Sequence, residues 1–246
     1  MIVLLTDYGL SGPYVGQLHA VIKQRTRDAG IIDLCHCLPE FNVRSAAYLL
    51  PAFTQGLPVG AVVVCVVDPG VGSDRQHALV EANGCYYIGP DNGLFDVLIQ
   101  RVQDAVKYHF QWPDPASNTF HGRDVYAPVA CMVHEAGNRN EIDCQPVKTS
   151  SFQFAPDLDE ITYIDEFGNA MTGQRLLAET KIASLSVANQ ALQYATKFSD
   201  VAEGECFWYE NAYGLVEIAA NRSSAAAVLG LEIGDPVNIR YQAALC

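Results

Sequence analysis

Basic residues are scarce in this sequence. Lysine and arginine together number 15 among 246 residues, against 28 aspartates and glutamates, so the formal net charge is −13. No segment is rich in basic residues. A surface of this sign repels both a phosphate backbone and an anionic membrane surface. We therefore expect neither nucleic acid nor a membrane as a partner, whereas a substrate that carries positive charge is compatible with this field.

Long apolar runs are also absent. No segment approaches the roughly 20 apolar residues that span a bilayer. The opening MIVLLTDYG reaches Asp7 too early for the apolar region of a signal peptide. Half of the residues are nevertheless hydrophobic, which is enough for a sizeable core. We expect a globular, cytoplasmic protein.

The cysteines lack the CxxC spacing of common zinc and redox sites. We expect them to be reduced thiols, mostly in the core. The segment CHC suggests a metal, but strand alternation would place Cys35 and Cys37 on one face and His36 on the other, so the three cannot readily bind one ion. No metal or cofactor is expected. The eight cysteines are Cys35, Cys37, Cys65, Cys85, Cys131, Cys144, Cys206 and Cys246.

The first part of the chain alternates between apolar runs and helical patterns. MIVLLT, IIDLCHCL and GAVVVCVV are typical of strands buried between helices. ALVEAN and CYYIGP, separated by Asn83-Gly84, predict a hairpin. Apolar residues spaced three and four apart predict helices over residues 14–27, 43–53 and 93–102. Residues 1–137 are therefore predicted to form an α/β domain with a mainly parallel sheet.

The second part has a different pattern. Residues 138–159 are polar and turn-forming, which predicts a linker. Residues 160–246 contain short candidate strands punctuated by glycine and aspartate, which predict a smaller, mostly β domain. Within it, SSAAAVLGL predicts one short helix, capped by Ser223 and ended by Gly230.

Two aspartates stand where the pattern places the carboxyl ends of buried strands. In an open α/β sheet this edge is where ligands bind. Asp7 follows MIVLLT and could accept hydrogen bonds from a ribose diol, or it could cap the next helix. Asp68 follows GAVVVCVV within VVDPGVGSDR, whose tight turn allows Arg75 to fold back onto it. Arg75 would keep Asp68 ionised and oriented, either for chemistry or as a structural ion pair.

The segment TFHGRDVYAP offers a third group. A lone histidine is usually a surface or core residue, but Gly122 leaves space beside the ring of His121. Arg123 and Asp124 begin the next helix, whose amide groups favour an oxygen nucleophile or oxyanion nearby. An aspartate, an arginine and a histidine together can position a water molecule and take its proton.

Aromatic and amide side chains alternate in two segments of the second domain. YIDEFGN offers a carboxylate, a stacking face and an amide at Asp165, Phe167 and Asn169. FWYENAYGLVEIAANRSSAA adds Glu217 and Asn221 among aromatic residues. This mixture suits a purine, which needs stacking and edge hydrogen bonds. An ordinary aromatic β core is the alternative.

Seven segments in this order resemble the S-adenosylmethionine hydroxide adenosyltransferases, which are also called S-adenosylmethionine hydrolases and are related to fluorinase and chlorinase. The segments are TDYG with YVGQLHAVI, DLCHCLPEFNVRSAAYLL, VVDPGVGSDR, GPDNGLF, TFHGRDVYAPVA, YIDEFGN and FWYENAYGLVEIAANRSSAA. The resemblance covers nearly the whole chain. It implies an N-terminal α/β domain, a smaller C-terminal β-barrel-like domain, and a homotrimer with active sites at subunit interfaces.

The resemblance also implies roles for individual residues. A set that orients water or hydroxide corresponds to Asp68, Arg75 and His121. Asp7 corresponds to the carboxylate that holds the ribose hydroxyls. The other expected substrate contacts are Asp165, Phe167, Asn169, Tyr209, Glu217 and Asn221. Gly173 and Ala212 depart from the family, which often has asparagine and serine at these positions.

The implied reaction is hydrolysis of S-adenosylmethionine to adenosine and methionine by attack of water on C5′ of the ribose. In the related halogenases a tyrosine replaces Asp68, and an anionic Asp68 would repel a halide, so transfer to halide is disfavoured. A binding module for adenosine or S-adenosylmethionine is the alternative from another class. The sequence leaves open which sulfonium epimer is preferred and whether Asp68 or His121 takes the proton.

Overall fold

The computed structural model describes residues 1–148, 152–176 and 182–242. Contacts divide the chain into a first unit, Met1–Pro156, and a second unit, Asp157–Cys246. Cys246 and the outer ends of two predicted strands, KIASLSV at Lys181 and PVNIRYQA at Ala243, lie outside the described residues. The other seven cysteines are free thiols.

The first unit is built on one seven-stranded sheet. Its strand order is β2-β1-β3-β5-β4-β6-β7. The strands are β1 (Ile2–Thr6), β2 (Ile31–Cys35), β3 (Val62–Val66), β4 (His77–Ala82), β5 (Cys85–Pro90), β6 (Val106–Phe110) and β7 (Cys144–Pro146). The helices are α1 (Tyr14–Arg25), α2 (Val43–Phe53), α3 (Asp96–Arg101) and α4 (Ala127–Ala136), and a π-helical turn, Gly122–Tyr126, precedes α4.

The prediction of a mainly parallel sheet is wrong, because the sheet is mixed. β2, β1, β3 and β5 run parallel, whereas β4, β6 and β7 are joined by antiparallel pairings. The hairpin at Asn83-Gly84 causes the reversal: both residues have positive φ, 51° and 71°, which a tight two-residue turn requires. Once β4 runs backwards, the strands beyond it pair antiparallel to one another.

The core of the first unit lies where the sequence is most continuously apolar. Every residue of β1 and β3 is buried. Leu18 and Ile22 of α1 pack with Val129 and Val133 of α4 in the same buried cluster as alternate side chains of these strands. The carboxyl ends of β1 and β3 are thereby fixed side by side, with Thr6 in register with Val66.

Part of the predicted linker, residues 138–159, is structured. β7 pairs with β6. The Tyr48 hydroxyl donates to the Ala155 carbonyl at 2.8 Å, and the Gln153 amide donates to Asp96 at 2.7 Å. The segment up to residue 156 therefore belongs to the first unit.

The second unit contains another seven-stranded sheet. Its strand order is β14-β10-β11-β12-β13-β9-β8, and only β11 and β12 pair in parallel. The strands are β8 (Ile161–Ile164), β9 (Ala170–Arg175), β10 (Ile182–Val187), β11 (Gln190–Tyr194), β12 (Cys206–Glu210), β13 (Leu215–Ala220) and β14 (Asn238–Tyr241). An isolated bridge between Glu160 and Pro236 joins the two ends of this order, so the sheet curls into a half-barrel.

The predicted short helix is present as α5 (Ala225–Leu229), which ends at Gly230 with φ 65°. Its cap differs from the prediction. Ser224, and not Ser223, occupies the N-cap position and accepts a hydrogen bond from the Ala227 amide at 3.1 Å. Either serine satisfies the sequence pattern, and the isolated bridge between Ala220 and Ser223 places the latter before the helix.

Candidate active site

In each unit, the described residues form a pocket that contains predicted site residues. The pocket of the first unit has a volume of about 360 Å³ and lies at the carboxyl ends of β1 and β3. The residues that line it are Asp7, Tyr8, Tyr14, Glu40, Phe41, Val66, Asp68, Val71, Thr119, Phe120, His121 and Gly122. The pocket of the second unit is larger, about 1110 Å³, and is described separately below.

Two loops meet at the first pocket because Gly72 allows a close approach. Gly72 has φ +82°, and a Cβ at this position would collide with the backbone carbonyl of Asn118. The turn itself is closed by hydrogen bonds from the Val71 amide to the Asp68 carbonyl and from the Ser73 amide to the Gly70 carbonyl. This contact brings the loop after β3 against the loop that precedes His121.

Hydrogen bonds join Asp68, Arg75 and His121, the three residues that the resemblance grouped. Arg75 binds the Asp68 carboxylate through two donors: Nε donates to Oδ1 at 2.8 Å, and Nη2 donates to Oδ2. Nη2 also donates to His121 Nδ1 at 3.4 Å. The ion pair is buried, since the side chains of Arg75 and Asp68 are 11% and 4% exposed. A carboxylate, a guanidinium and an imidazole therefore form one hydrogen-bonded set.

Burial raises the pKa of Asp68, and the hydrogen bonds and charge of Arg75 offset that effect only in part. The pKa of His121 is lowered, first by burial and then by Arg75. Asp68 is thus a stronger base than an ordinary aspartate, and His121 is held neutral.

The contact with Arg75 also fixes the tautomer of His121. A guanidinium can only donate hydrogen bonds, so Nδ1 of His121 must accept. The ring of a neutral His121 then carries its hydrogen on Nε2. In this state His121 can donate a hydrogen bond from Nε2, and Asp68 is the acceptor of the pair.

Asp7 lines the first pocket and does not cap a helix. α1 begins at Tyr14, and its N-cap residue, Pro13, makes no side-chain hydrogen bond. Asp7 Oδ2 instead accepts from the Phe41 amide at 3.0 Å. Burial raises the pKa of Asp7, and that amide bond opposes the shift. Of the two readings of Asp7 from the sequence, the structure therefore contradicts helix capping.

The expected role of the Arg123 and Asp124 amides is not supported. Both amides donate to the Phe120 carbonyl, at 3.2 Å and 3.1 Å, so they are occupied. The side chains form an ion pair in which Nε of Arg123 donates to Asp124 at 2.6 Å. Asp124 also accepts from the Ser117 amide at 2.9 Å. This pair supports the loop before His121, and the two backbone amides are not available to an oxyanion.

Sequence reasoning missed two residues next to the set formed by Asp68, Arg75 and His121. Tyr126 accepts a hydrogen bond from Arg75 Nη1 at 3.0 Å, and His77 Nδ1 lies 3.2 Å from the Tyr126 hydroxyl. The π-helical turn carries Tyr126 towards His121, because its i to i+5 bond, from Ala127 to Gly122, widens the turn. Nothing in the sequence predicts that turn. His77 could have been considered, since it follows Arg75 by two residues at the start of β4.

The pocket of the second unit contains all six predicted substrate contacts of that unit. They are Asp165, Phe167, Asn169, Tyr209, Glu217 and Asn221. Ala212 also lines this pocket, whereas Gly173 is not among the lining residues. Of the two departures from the family, only Ala212 thus borders the pocket.

Asp165 organises the turn between β8 and β9. Its Oδ1 accepts from the amides of Phe167 and Asn169, at 2.9 Å and 2.8 Å, and its Oδ2 accepts from Asn169 Nδ2 at 2.9 Å. This turn leaves the Phe167 ring 78% exposed at the pocket. Gly168 is required within it, because a Cβ there would collide with Ser224.

Glu217 lies deeper than the sequence suggested. It is 2% exposed, and its carboxylate accepts from the Tyr209 hydroxyl and from Asn211 Nδ2, the latter at 2.7 Å. Burial raises its pKa, and these two donors oppose the shift. Both carboxylate oxygens are engaged within the protein, so Glu217 holds the wall of the pocket. Asn221 similarly donates to the Val201 carbonyl at 2.9 Å.

Within residues 1–148, 152–176 and 182–242, no group of three or more histidine, cysteine, aspartate or glutamate side chains is placed to hold a metal ion. In the same ranges, no helix combines the length and the apolar character that a transmembrane segment needs.

The fold and the two pockets define a two-unit protein with an α/β unit and a mostly β unit, each of which carries candidate site residues. The model of the SAM hydroxide adenosyltransferase N-terminal domain matches residues 2–143, and that of the C-terminal domain matches residues 159–238. The chain therefore belongs to the SAM hydroxide adenosyltransferase family.

Individual relatives agree with this assignment. The chain is 35% identical to an (R)-S-adenosyl-L-methionine hydrolase of Thermus thermophilus, covering 97% of this chain and 98% of the relative. It is 34% identical to a protein of the same name from Salinispora arenicola, covering 95% of each. A fluorinase of Actinopolyspora mzabensis is 24% identical over 97% of this chain and 96% of the relative. An uncharacterized conserved protein from Thermotoga maritima has a similar solved structure, with a TM-score of 0.85 at 29% identity over 97% of this chain and 99% of that one.

Proposed function

We propose that this protein hydrolyses S-adenosyl-L-methionine to adenosine and L-methionine by in-line attack of water on C5′ of the ribose. The observation that carries the proposal is the buried set of Asp68, Arg75 and His121 beside a pocket at the sheet edge. Relatives that share 34% and 35% identity across nearly the whole chain are named (R)-S-adenosyl-L-methionine hydrolases.

The chemistry needs few groups. The sulfonium makes C5′ electrophilic and leaves as the neutral thioether of methionine, while a C5′–O bond forms and water gives up one proton. Attack by an anionic oxygen on a cation annihilates charge, which a water-poor pocket favours. The protein must hold the oxygen, C5′ and sulfur in line, and such orientation lowers the barrier by several kcal/mol.

We assign the proton to Asp68. Arg75 donates to His121 Nδ1, so a neutral His121 presents Nε2–H as a donor and leaves the Asp68 carboxylate as the acceptor. Arg75 orients the carboxylate through two hydrogen bonds. His121 donates to the attacking oxygen as the oxygen loses its proton to Asp68. Asp7 is assigned to the ribose hydroxyls, because it lines the first pocket directly after β1 and a carboxylate can accept hydrogen bonds from both hydroxyls of a diol.

The pocket of the second unit is assigned to the remainder of the substrate. The exposed ring of Phe167 and the amide of Asn169 suit an adenine, which needs a stacking face and edge hydrogen bonds. Asp165 is assigned to the environment of the methionine amine. Glu217 acts through Tyr209, which it orients.

The proposal includes a homotrimer in which the first unit of one subunit meets the β-barrel-like second unit of its neighbour. Mixing two inactive variants tests this arrangement. His121→Ala impairs the first pocket and Asn169→Ala impairs the second. If sites are shared in a ring, randomly mixed trimers regain about a quarter of wild-type activity. If each subunit completes its own site, mixing recovers nothing.

The activity itself is tested with both sulfonium epimers of S-adenosylmethionine, followed by separation of the products. We expect adenosine and methionine in equal amounts, with the R epimer consumed first. Binding of either epimer without turnover would instead support a binding module. A product that appears only when halide is added would support a halogenase.

A further inference from the structure

A chain of hydrogen bonds between side chains continues from Arg75 away from the pocket. Three of the guanidinium contacts go to Asp68 and His121, and the fourth runs from Nη1 to the Tyr126 hydroxyl at 3.0 Å. The next contact joins the Tyr126 hydroxyl to His77 Nδ1 at 3.2 Å. Tyr126 is fully buried and His77 is half-buried. This chain of hydrogen bonds therefore lies largely out of contact with water.

The direction of this chain follows from what each group can donate. Arginine only donates, so the Tyr126 oxygen accepts from it and must place its own hydrogen elsewhere. In the described residues, the other hydrogen-bonding partner of this hydroxyl is His77 Nδ1. His77 therefore accepts at Nδ1 and is neutral. Burial and the nearby His121 and Arg75 lower the pKa of His77 to about 4, which agrees with a neutral ring.

His77 also contacts His121 directly. The two rings meet edge to face, with centroids 5.3 Å apart. On its other side the His77 ring packs against Phe110 at 5.4 Å. His77 thus supports the catalytic set at two points, through Tyr126 and Arg75 and through the ring of His121.

We propose that Tyr126 and His77 are positioning residues for the hydrolytic step, and that they hold the guanidinium of Arg75 in the orientation that serves Asp68 and His121 together. This inference rests on the proposed hydrolysis. Without the Tyr126 oxygen, Nη1 has no acceptor in place, and Arg75 can rotate away from the bidentate geometry. Without an acceptor at position 77, the Tyr126 hydroxyl turns to donate elsewhere.

Three variants test the role of this chain of hydrogen bonds. Tyr126→Phe removes the hydroxyl and keeps the ring. His77→Leu removes the acceptor, whereas His77→Asn retains an amide oxygen near the position of Nδ1. We expect Tyr126→Phe and His77→Leu to lower kcat about tenfold, the equivalent of one hydrogen bond, with KM for S-adenosylmethionine within about twofold of wild type. His77→Asn should recover most of the lost kcat.

The matched control is Tyr87→Phe. Tyr87 is also buried, and its hydroxyl donates to Thr54 at 3.3 Å, outside the catalytic set. We expect this variant to lose stability as Tyr126→Phe does, while kcat stays at the wild-type value. An unchanged kcat in Tyr126→Phe, or a His77→Asn variant as slow as His77→Leu, would overturn the proposal.

Nitrogen-15 NMR of the imidazole rings tests the same chain without turnover. We expect neutral His77 and His121 in wild type, each with the hydrogen on Nε2. A His77 protonated at Nδ1 would overturn the proposal even if a variant fails to fold. Absence of hydrolysis by the wild-type protein, together with the expected tautomers, would instead refute the proposed function and leave the chain of hydrogen bonds intact.

Discussion

Substituting Asp68 with asparagine removes one charge from the proposed catalytic set of Asp68, Arg75 and His121 with almost no change in volume. The asparagine oxygen can still accept from Arg75 Nε, but its amide nitrogen faces Nη2, so two donors oppose each other. The substitution therefore removes the proposed base and leaves Arg75 without its counter-charge in a buried position.

The size of each effect can be worked out from the structure. Asp68 is 4% and Arg75 11% exposed, so the pair is buried, and removal of one partner costs about 3 kcal/mol of the free energy of unfolding. Loss of a general base lowers kcat by about 10² to 10⁴. We expect both losses in Asp68→Asn, with binding of adenosine largely retained because Asp7 and the second unit are unchanged.

The assay combines denaturant unfolding with steady-state kinetics. The matched control is Asp157→Asn in the second unit. Arg175 binds Asp157 with the same bidentate geometry, at 2.7 Å for each bond, but away from both pockets. That pair is more exposed, so we expect a loss of about 1 kcal/mol and an unchanged kcat. A kcat for Asp68→Asn within about threefold of wild type would refute the assignment of Asp68 as the base.

Three further predictions follow from neighbouring contacts. A Cβ on Gly122 would collide with the Tyr8 hydroxyl, so Gly122→Ala should lower kcat/KM about tenfold. Adding Tyr8→Phe removes that hydroxyl and should restore kcat/KM. A double variant with the same kcat/KM as Gly122→Ala would contradict this packing. The pKa of His77 falls from 6.5 to about 4 on folding, so the free energy of unfolding of the wild type decreases as the pH drops through that interval. In His77→Asn, denaturant titrations should show a slope of stability against pH that is shallower by up to about 1.4 kcal/mol per pH unit. An unchanged slope would show that the pKa of His77 is not lowered on folding. Tyr209→Phe removes one of the two donors to Glu217, so KM should rise and the free energy of unfolding should fall by about 1 kcal/mol. A variant with the wild-type KM in kinetics and the wild-type stability in calorimetry would contradict the assigned contact between Tyr209 and Glu217.

The sequence predicted those elements whose signals are local. β1 and β3 follow from continuous apolar runs, and the hairpin follows from Asn83-Gly84. β6 and β7 were not predicted, because β6 (VKYHF) has no continuous apolar run, β7 has three residues, and each is defined by pairing with a distant neighbour. The mixed character of the sheet depends on these same pairings, so the local pattern could not reveal it.

In the site, too, contacts with a local signal were predicted from the sequence and long-range contacts were not. The turn that follows β3 predicted that Asp68 and Arg75 would meet, because seven residues and two glycines suffice to reverse the chain. The contact between Arg75 and His121 spans 46 residues, so only the resemblance to a family joined them. Tyr126 was missed because its position depends on a π-helical turn.

The most direct test of the central claim is hydrolysis in oxygen-18 water with mass detection of the products. The account predicts that adenosine carries one labelled oxygen, at the 5′ hydroxyl, and that methionine is unlabelled, because water attacks C5′ and the C5′–S bond breaks. Unlabelled adenosine, or no adenosine from either epimer of S-adenosylmethionine, would contradict it.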